Sequence, residues 1–243
     1  GDNQGRTRET TFLNAAGEPV PVTYTCAELG GDDPALRGHV VTLHNISERK
    51  AAEQRIRYLA RIDALTKVPN RMQFQHLLQR ALARARRGRH RLALIYMDVD
   101  KFKEINDTFG HTAGDLCLET LTTRLRNLLP EGSVIGRMAG DEFGVILDNL
   151  DPGRNLRAEV VATTRLLQEA ISESLDSEGT EIYTTVSAGI SMYPGDADNV
   201  IDLIRNADAA LYRAKRQGGG ALDVYHPDMN AAAVDRLMLK SRL

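Results

Sequence analysis

Alternation of apolar and polar positions divides the chain into two zones. Residues 10–46 read as short strands and turns: Thr10–Leu13, a turn at Asn14-Ala-Ala-Gly17, Val20–Ala27, a loop at Gly30-Gly-Asp-Asp-Pro34, then Gly38–Ile46. Three such strands do not make a stable domain alone, so this zone reads as the last part of something larger. Ser47 is a good N-cap, and Glu48 to Ala60 has helical composition with Ile56, Leu59 and Ile62 at helical spacing. The stretch 47–61 is therefore expected to be a connector helix.

From Ile62 onward helix and strand patterns interleave. Pro69–Gly88 is a basic amphipathic helix, Leu92–Met97 a strand and Leu116–Leu129 a helix. Val134–Arg137 and Phe143–Leu147 form a hairpin, 155–175 a helix, Ile182–Ser191 a strand, Val200–Gln217 a helix and Leu222–Tyr225 a last short strand. Met229–Leu243 reads as a helical tail. The expected class is α/β: a two-layer sandwich with a central mixed sheet flanked by helices and the acidic residues grouped at one sheet edge.

Composition narrows the chemistry. With 243 residues and 42% hydrophobic content there is enough apolar material for a real core. The 31 basic and 33 acidic residues nearly cancel, which removes bulk attraction to nucleic acid or to an anionic membrane. A phosphate ligand would need local groups. Cys26 and Cys117 lie far apart with no metal-ligand or redox spacing. The N-terminus is polar and no apolar run reaches the roughly 18 residues of a membrane span, so the expected location is the cytoplasm.

Two acidic pairs carry the candidate chemistry. The first, Asp98-Val99-Asp100, closes the buried strand pattern Leu92-Ala-Leu-Ile-Tyr-Met. If the strand ends near Asp98, that residue caps the sheet while Val99 offers a backbone carbonyl, an oxygen ligand that Mg²⁺ accepts. The second pair, Asp141-Glu142, lies in the hairpin turn Ala139-Gly140-Asp141-Glu142-Phe143. Small residues there let the backbone approach a phosphate or ribose; Asp141 can ligate a metal, and Glu142 can accept or position a hydroxyl proton. Each pair alone is also compatible with an ordinary strand end or hairpin. Between them runs Lys101 to Asp115, dense in amides, carboxylates, glycines and lysines. Asn and Asp there can read a purine edge, and guanine's adjacent donors suit a carboxylate such as Asp115; equally, Asp115 can simply N-cap the next helix. His111 is read as a loop histidine.

Six motifs occur in order: Asp63-Ala-Leu-Thr66-Lys-Val-Pro69-Asn70-Arg71; Asp98-Val-Asp100 with Phe102-Lys103 and Asn106-Asp-Thr-Phe-Gly-His111; Gly114-Asp115; Arg137-Met-Ala139-Gly-Asp-Glu-Phe143; Val186-Ser-Ala-Gly-Ile190; and Ala207-Asp208-Ala-Ala-Leu-Tyr212-Arg-Ala-Lys215. Together they resemble the GGDEF family of diguanylate cyclases, from about Ile62 to Tyr225. The resemblance implies a ferredoxin-like, palm-like fold and condensation of two GTP into cyclic di-GMP by an antiparallel homodimer. It implies that Asp98, the carbonyl of Val99 and Asp141 hold Mg²⁺ (or Mn²⁺). It further implies that Asn106 and Asp115 read guanine, that Phe102, Lys103 and Gly140 lie along the bound GTP, and that Lys215 reaches the γ-phosphate. Glu142 would help the ribose 3′-hydroxyl attack the α-phosphate of the opposing GTP.

Four positions depart from the family pattern. Ala139 replaces the first signature glycine, which a negative φ would tolerate. Pro130 and Ser133 stand where the family's Arg-x-x-Asp inhibitory site would fall, so that site is absent in its usual form. Lys215-Arg216-Gln217-Gly218-Gly219-Gly220 lacks the arginine of the family's phosphate-binding tail. Lys67-Val68 replaces Gly-Leu, a change expected to touch only a surface turn. At the flanks, residues 1–46 with the helix after them resemble the end of a PAS sensor domain. Tyr225 onward resembles the linker that joins GGDEF domains to EAL phosphodiesterase domains, so residues 62–226 are expected to be the cyclase and 227–243 the linker. The alternative function is a GTP-binding regulatory module acting on an attached EAL domain.

Overall fold

In a computed structural model, residues 7–29, 38–150, 153, 155–177 and 179–229 are described. The expected loop at 30–34 and the tail beyond Met229 lie outside them. The chain divides into two compact units, Gly1–Ala60 and Arg61–Leu243.

In the first unit β1 (Arg8–Leu13), β2 (Pro19–Leu29) and β3 (Gly38–Asn45) form an antiparallel sheet in that order. Asn14 closes the β1–β2 turn by accepting the N–H groups of Ala16 and Glu18. The sheet leaves Phe12, Leu13, Val40, Val41 and Leu43 exposed. Helix α1 (Ser47–Leu59) follows. Ser47 is its first residue rather than its cap: Asn45 Oδ1 accepts the Ser47 N–H at 2.9 Å.

The second unit is built on five strands: β4 (Arg91–Val99), β5 (Val134–Ala139), β6 (Glu142–Leu150), β9 (Val186–Tyr193) and β10 (Leu222–Val224), in the order β10-β9-β4-β6-β5. The pairs β9–β4, β4–β6 and β6–β5 are antiparallel and β10–β9 is parallel, the mixed and mainly antiparallel sheet expected from the sequence. Around it run α2 (Arg71–Gly88), α3 (Phe102–Phe109), α4 (His111–Leu128), α5 (Leu156–Ser172) and α6 (Val200–Lys215), with a small hairpin β7 (Leu175–Ser177)–β8 (Thr180–Ile182).

Period-2 alternation along β4 sorts the core into two. Ala93, Ile95, Met97 and Val99 pack with residues of α4 and α5, while Leu92, Leu94 and Tyr96 pack with Phe74 and Leu78 of α2 and Leu203 and Ala207 of α6. Helices therefore cover both sheet faces, and the packing is helix–sheet–helix rather than the two layers expected. The cause is that β4 and β6 carry apolar side chains on both faces, while β9 turns small residues, Ser187, Gly189 and Ser191, to the side that α6 covers.

Local chemistry sets the helix ends. Asn70, Asn155 and Asn199 cap α2, α5 and α6 by accepting the N–H of Gln73, Ala158 and Asp202. Hence α2 starts after Pro69 and Asn70, two residues later than the sequence pattern suggested. Two contacts position the helices that reach the acidic hairpin. Gly136 and Gly144 leave their Cβ positions to the ring of Phe74, which seats the start of α2 against β5 and β6. Gly189 on β9 does the same for the backbone of α6 at Ala207 and Leu211.

Candidate active site

Strand β4 continues through Val99, and its two acidic residues part company. Asp98 lies on the sheet face covered by α2 and α6, directly across from Glu142 on β6. Val99 N–H bonds to the Asp141 carbonyl at 3.3 Å, so the acidic turn is tied to the end of β4. Asp100 instead serves structure: its carboxylate accepts Ser187 Oγ and Thr185 Oγ1, each at 2.7 Å, and Gly220 N–H at 2.6 Å. This latch holds the loop after α6. Gly220 and Gly219 adopt left-handed φ of 63° and 93°, and a Cβ at Gly219 would stand 3.2 Å from the Asp100 carboxyl carbon.

Lys215, at the end of α6, forms an ion pair with Asp98 Oδ1. That oxygen is buried, and the lysine is the partner it meets there. Burial pushes the Asp98 carboxyl up to about 6; Lys215 opposes the rise while Asp141 and Glu142 add to it. Glu142 is half-buried and accepts Tyr96 Oη at 3.0 Å. Burial first, then Glu142 and Asp208, push the Tyr96 phenol well above its ordinary value, with Arg71 acting against them. Tyr96 thus remains a donor.

The turn is braced from beneath. Arg137 donates to the Gly140 carbonyl at 2.8 Å and pairs with Asp63 Oδ1 at 3.0 Å, and its own N–H bonds to the Pro69 carbonyl. Burial works against the Asp63 carboxylate, but Thr66 and Arg137 more than offset it and hold the carboxyl below its usual range. Gly140 has φ +46°, whereas Ala139 is outside the left-handed region, which matches the tolerance expected for it. Lys67 does occupy the left-handed region at φ 56°, and Val68 is fully buried in the main core. The Lys67-Val68 pair therefore reaches the core, contrary to the expectation of a surface turn.

The second group of candidates stands on the next two helices. Phe102 is partly buried and Lys103 exposed on the first turn of α3, and Asn106 is half-buried on its last. The chain breaks at Gly110, φ 84°, and α4 begins at His111. His111 is thus helical rather than a loop residue, and Asp115 sits exposed inside α4, which excludes the N-cap reading. A Cβ on Gly114 would overlap Asn106 Oδ1 and stand 3.2 Å from Phe102 Cζ. Glycine at 114 is what lets the Asn106 side chain lie against α4, one residue from Asp115 along the chain. Pro130 and Ser133 close a turn before β5, Ser133 N–H bonding to the Pro130 carbonyl at 3.1 Å.

Cavity size does not single out these residues. A hollow of about 1100 Å³ lies on the far side of α3 against Tyr183 and Thr184 and reaches Lys215, but Phe102, Lys103, Asn106 and Asp115 do not line it. A hollow of about 490 Å³ opens beside Asp63, Arg71 and Ala139–Gly140. Converging carboxylates around a buried acidic side chain whose pKa is raised are a stronger sign of chemistry than volume. Among the described residues no three His, Cys, Asp or Glu side chains converge closely enough to hold a metal ion by themselves. Asp98, Asp141 and a backbone carbonyl nonetheless suit Mg²⁺, which takes one or two carboxylates and completes its shell with water and phosphate.

Comparison with known proteins points the same way. Residues 60–221 match the family model "Diguanylate cyclase, GGDEF domain". The chain belongs to the GGDEF family. Over 166 residues it is 40% identical to the diguanylate cyclase TpbB of Pseudomonas aeruginosa, covering 65% of this chain and 36% of that protein. It is 36% identical over 188 residues to MucR of the same organism, a bifunctional diguanylate cyclase/cyclic di-GMP phosphodiesterase, covering 77% of this chain and 27% of the relative. The chain thus spans about a third or less of these relatives. A solved structure of TpbB comprising only the GGDEF domain superposes with a TM-score of 0.67 at 36% identity, covering 71% of this chain and 98% of that one.

Tyr96 and the Asp100 latch are the residues that motif reading missed. Tyrosine within an otherwise apolar strand was the available signal for the first.

Proposed function

We propose that residues 62–226 form a diguanylate cyclase domain that condenses two GTP into cyclic di-GMP and releases pyrophosphate. One observation carries the reading: Asp98, Asp141 and Glu142 gather at the joined ends of β4 and β6, with Lys215 against Asp98. Mg²⁺ or Mn²⁺ held by Asp98, Asp141 and the Val99 carbonyl would neutralise triphosphate charge. Lys215, released from Asp98, would meet the γ-phosphate, and Phe102 and Lys103 adjoin the β4–α3 turn where phosphates would lie. Asn106 and Asp115 bind the guanine edge from adjoining helices. Glu142 takes the ribose 3′-hydroxyl proton as that oxygen attacks the α-phosphate of a GTP presented by a second copy. Catalysis rests on positioning and charge neutralisation, and it requires a homodimer because each copy orients one nucleotide.

A second reading has its own support. Gly219 stands where the family places a phosphate-binding arginine, and its φ of 93° disfavours any side chain. Loss of that cation weakens the triphosphate site, as suits a GTP-binding regulatory module acting on an EAL domain. The flanking segments are proposed to be the end of a PAS domain and the start of an EAL linker.

Product analysis by liquid chromatography separates the readings. Concentrated protein is incubated with GTP and Mg²⁺ in a concentration series, with Asp141→Ala as control. Cyclic di-GMP that rises steeply with protein concentration and vanishes in the control supports the cyclase; GTP binding without product supports the regulatory module.

A further inference from the structure

Tyr96 occupies an unusual place on the central strand. Its cross-strand neighbours are Gly144 on β6 and Gly189 on β9, so no side chain stands directly beside its ring on either strand. The diagonal neighbour on β6 is Glu142, within reach of an aromatic side chain. The phenol donates to Glu142 Oε2 at 3.0 Å, a charge-assisted bond. Phe74 and α6 fill the space over the two glycines and limit the ring's alternatives.

Glu142 needs such a restraint. Its carboxylate projects beside Asp98, with Asp141 next to it in the chain, while Lys215 offers a competing cation on Asp98. An unrestrained glutamate has three rotatable bonds with which to swing away from its negative neighbours or toward that lysine.

We propose that Tyr96 is a positioning residue for the reaction: its hydroxyl fixes one carboxylate oxygen of Glu142 and leaves the other free to accept the ribose 3′-hydroxyl proton. The proposal rests on the cyclase reading and on Glu142 as proton acceptor. It assigns Tyr96 no contact with substrate.

Tyr96→Phe tests it, because the ring and its packing stay while the donor goes. With GTP and Mg²⁺ the expected result is a kcat about tenfold lower, with KM for GTP within about twofold of the parent and a thermal midpoint lowered by no more than about 4 °C. Added to Glu142→Gln, the change should cause no further loss, since both act through one carboxylate. A crystal structure of Tyr96→Phe should show Glu142 in a different rotamer, a readout that needs no turnover. Parental kcat, a loss confined to KM, or a Glu142 carboxylate that stays in place overturns the proposal. If Glu142→Gln alone keeps full turnover, the assignment of Glu142 as acceptor fails, a result distinguishable from failure of the Tyr96 bond.

Discussion

Gly189→Ala probes the junction that delivers Lys215 to the acidic cluster. A Cβ built at Gly189 would stand 2.7 Å from Leu211 Cα and closer still to Ala207 O and Leu211 N. Real Cβ atoms do not approach closer than 3.0 Å and the shortest clash is 2.1 Å, so α6 must retreat by at least 3.0 − 2.1 = 0.9 Å. All three obstacles are backbone, so rotamer change cannot relieve the clash. Leu203, Ala207, Ala210, Leu211 and Ala214 on α6 are buried, and a gap approaching 1 Å forfeits a quarter to a half of each close contact's attraction. Overpacking of this kind costs about 3 kcal/mol, which corresponds to roughly 6–12 °C in a domain of this size. The same retreat draws Lys215 from Asp98 and should reduce product formation. The control is Gly195→Ala, which meets nothing within 4 Å and is not in the left-handed region. Urea unfolding and thermal scans of both variants provide the assay. A Gly189→Ala protein within about 0.5 kcal/mol of its Gly195→Ala control would refute the packing argument.

Further predictions follow from the site. Gly114→Ala should leave the fold intact, because the tip of Asn106 can move aside, yet raise KM for GTP about tenfold by displacing that side chain; an unchanged KM would remove Asn106 from the guanine site. The Asp98 carboxyl rises from 3.8 to about 6 on folding. The folded state then binds more protons than the unfolded one, so in metal-free buffer stability should fall as pH rises from about 4 to about 6, by at most about 3 kcal/mol. Asp98→Asn should flatten that slope and be the more stable protein at pH 7 while losing activity; urea unfolding at pH 4 and pH 7 measures both, and parallel curves for the two proteins would contradict the burial argument.

The strand and helix series of the second unit was legible because apolar runs and helical periodicity report burial directly. The hairpin was legible too, since Ala139-Gly140 must turn between two apolar runs. Other features depend on partners distant in sequence. Val68 looks like part of a surface turn until the main core is seen to enclose it. Asp100 resembles a second site carboxylate until Thr185, Ser187 and Gly220 claim its oxygens. The break between α3 and α4 turns on the left-handed φ of Gly110, which composition does not announce.

By itself, then, the sequence determined the family, the order of elements and the residue types available for metal, guanine and proton chemistry, because motif spacing and alternation are local properties. Tertiary structure alone decided which carboxylate faces Lys215, which one anchors a glycine loop, and that a tyrosine on the central strand holds Glu142. The reason is register: pairing of β4 with β6 and β9 selects each side chain's neighbours, and those neighbours lie some 45 to 120 positions away along the chain.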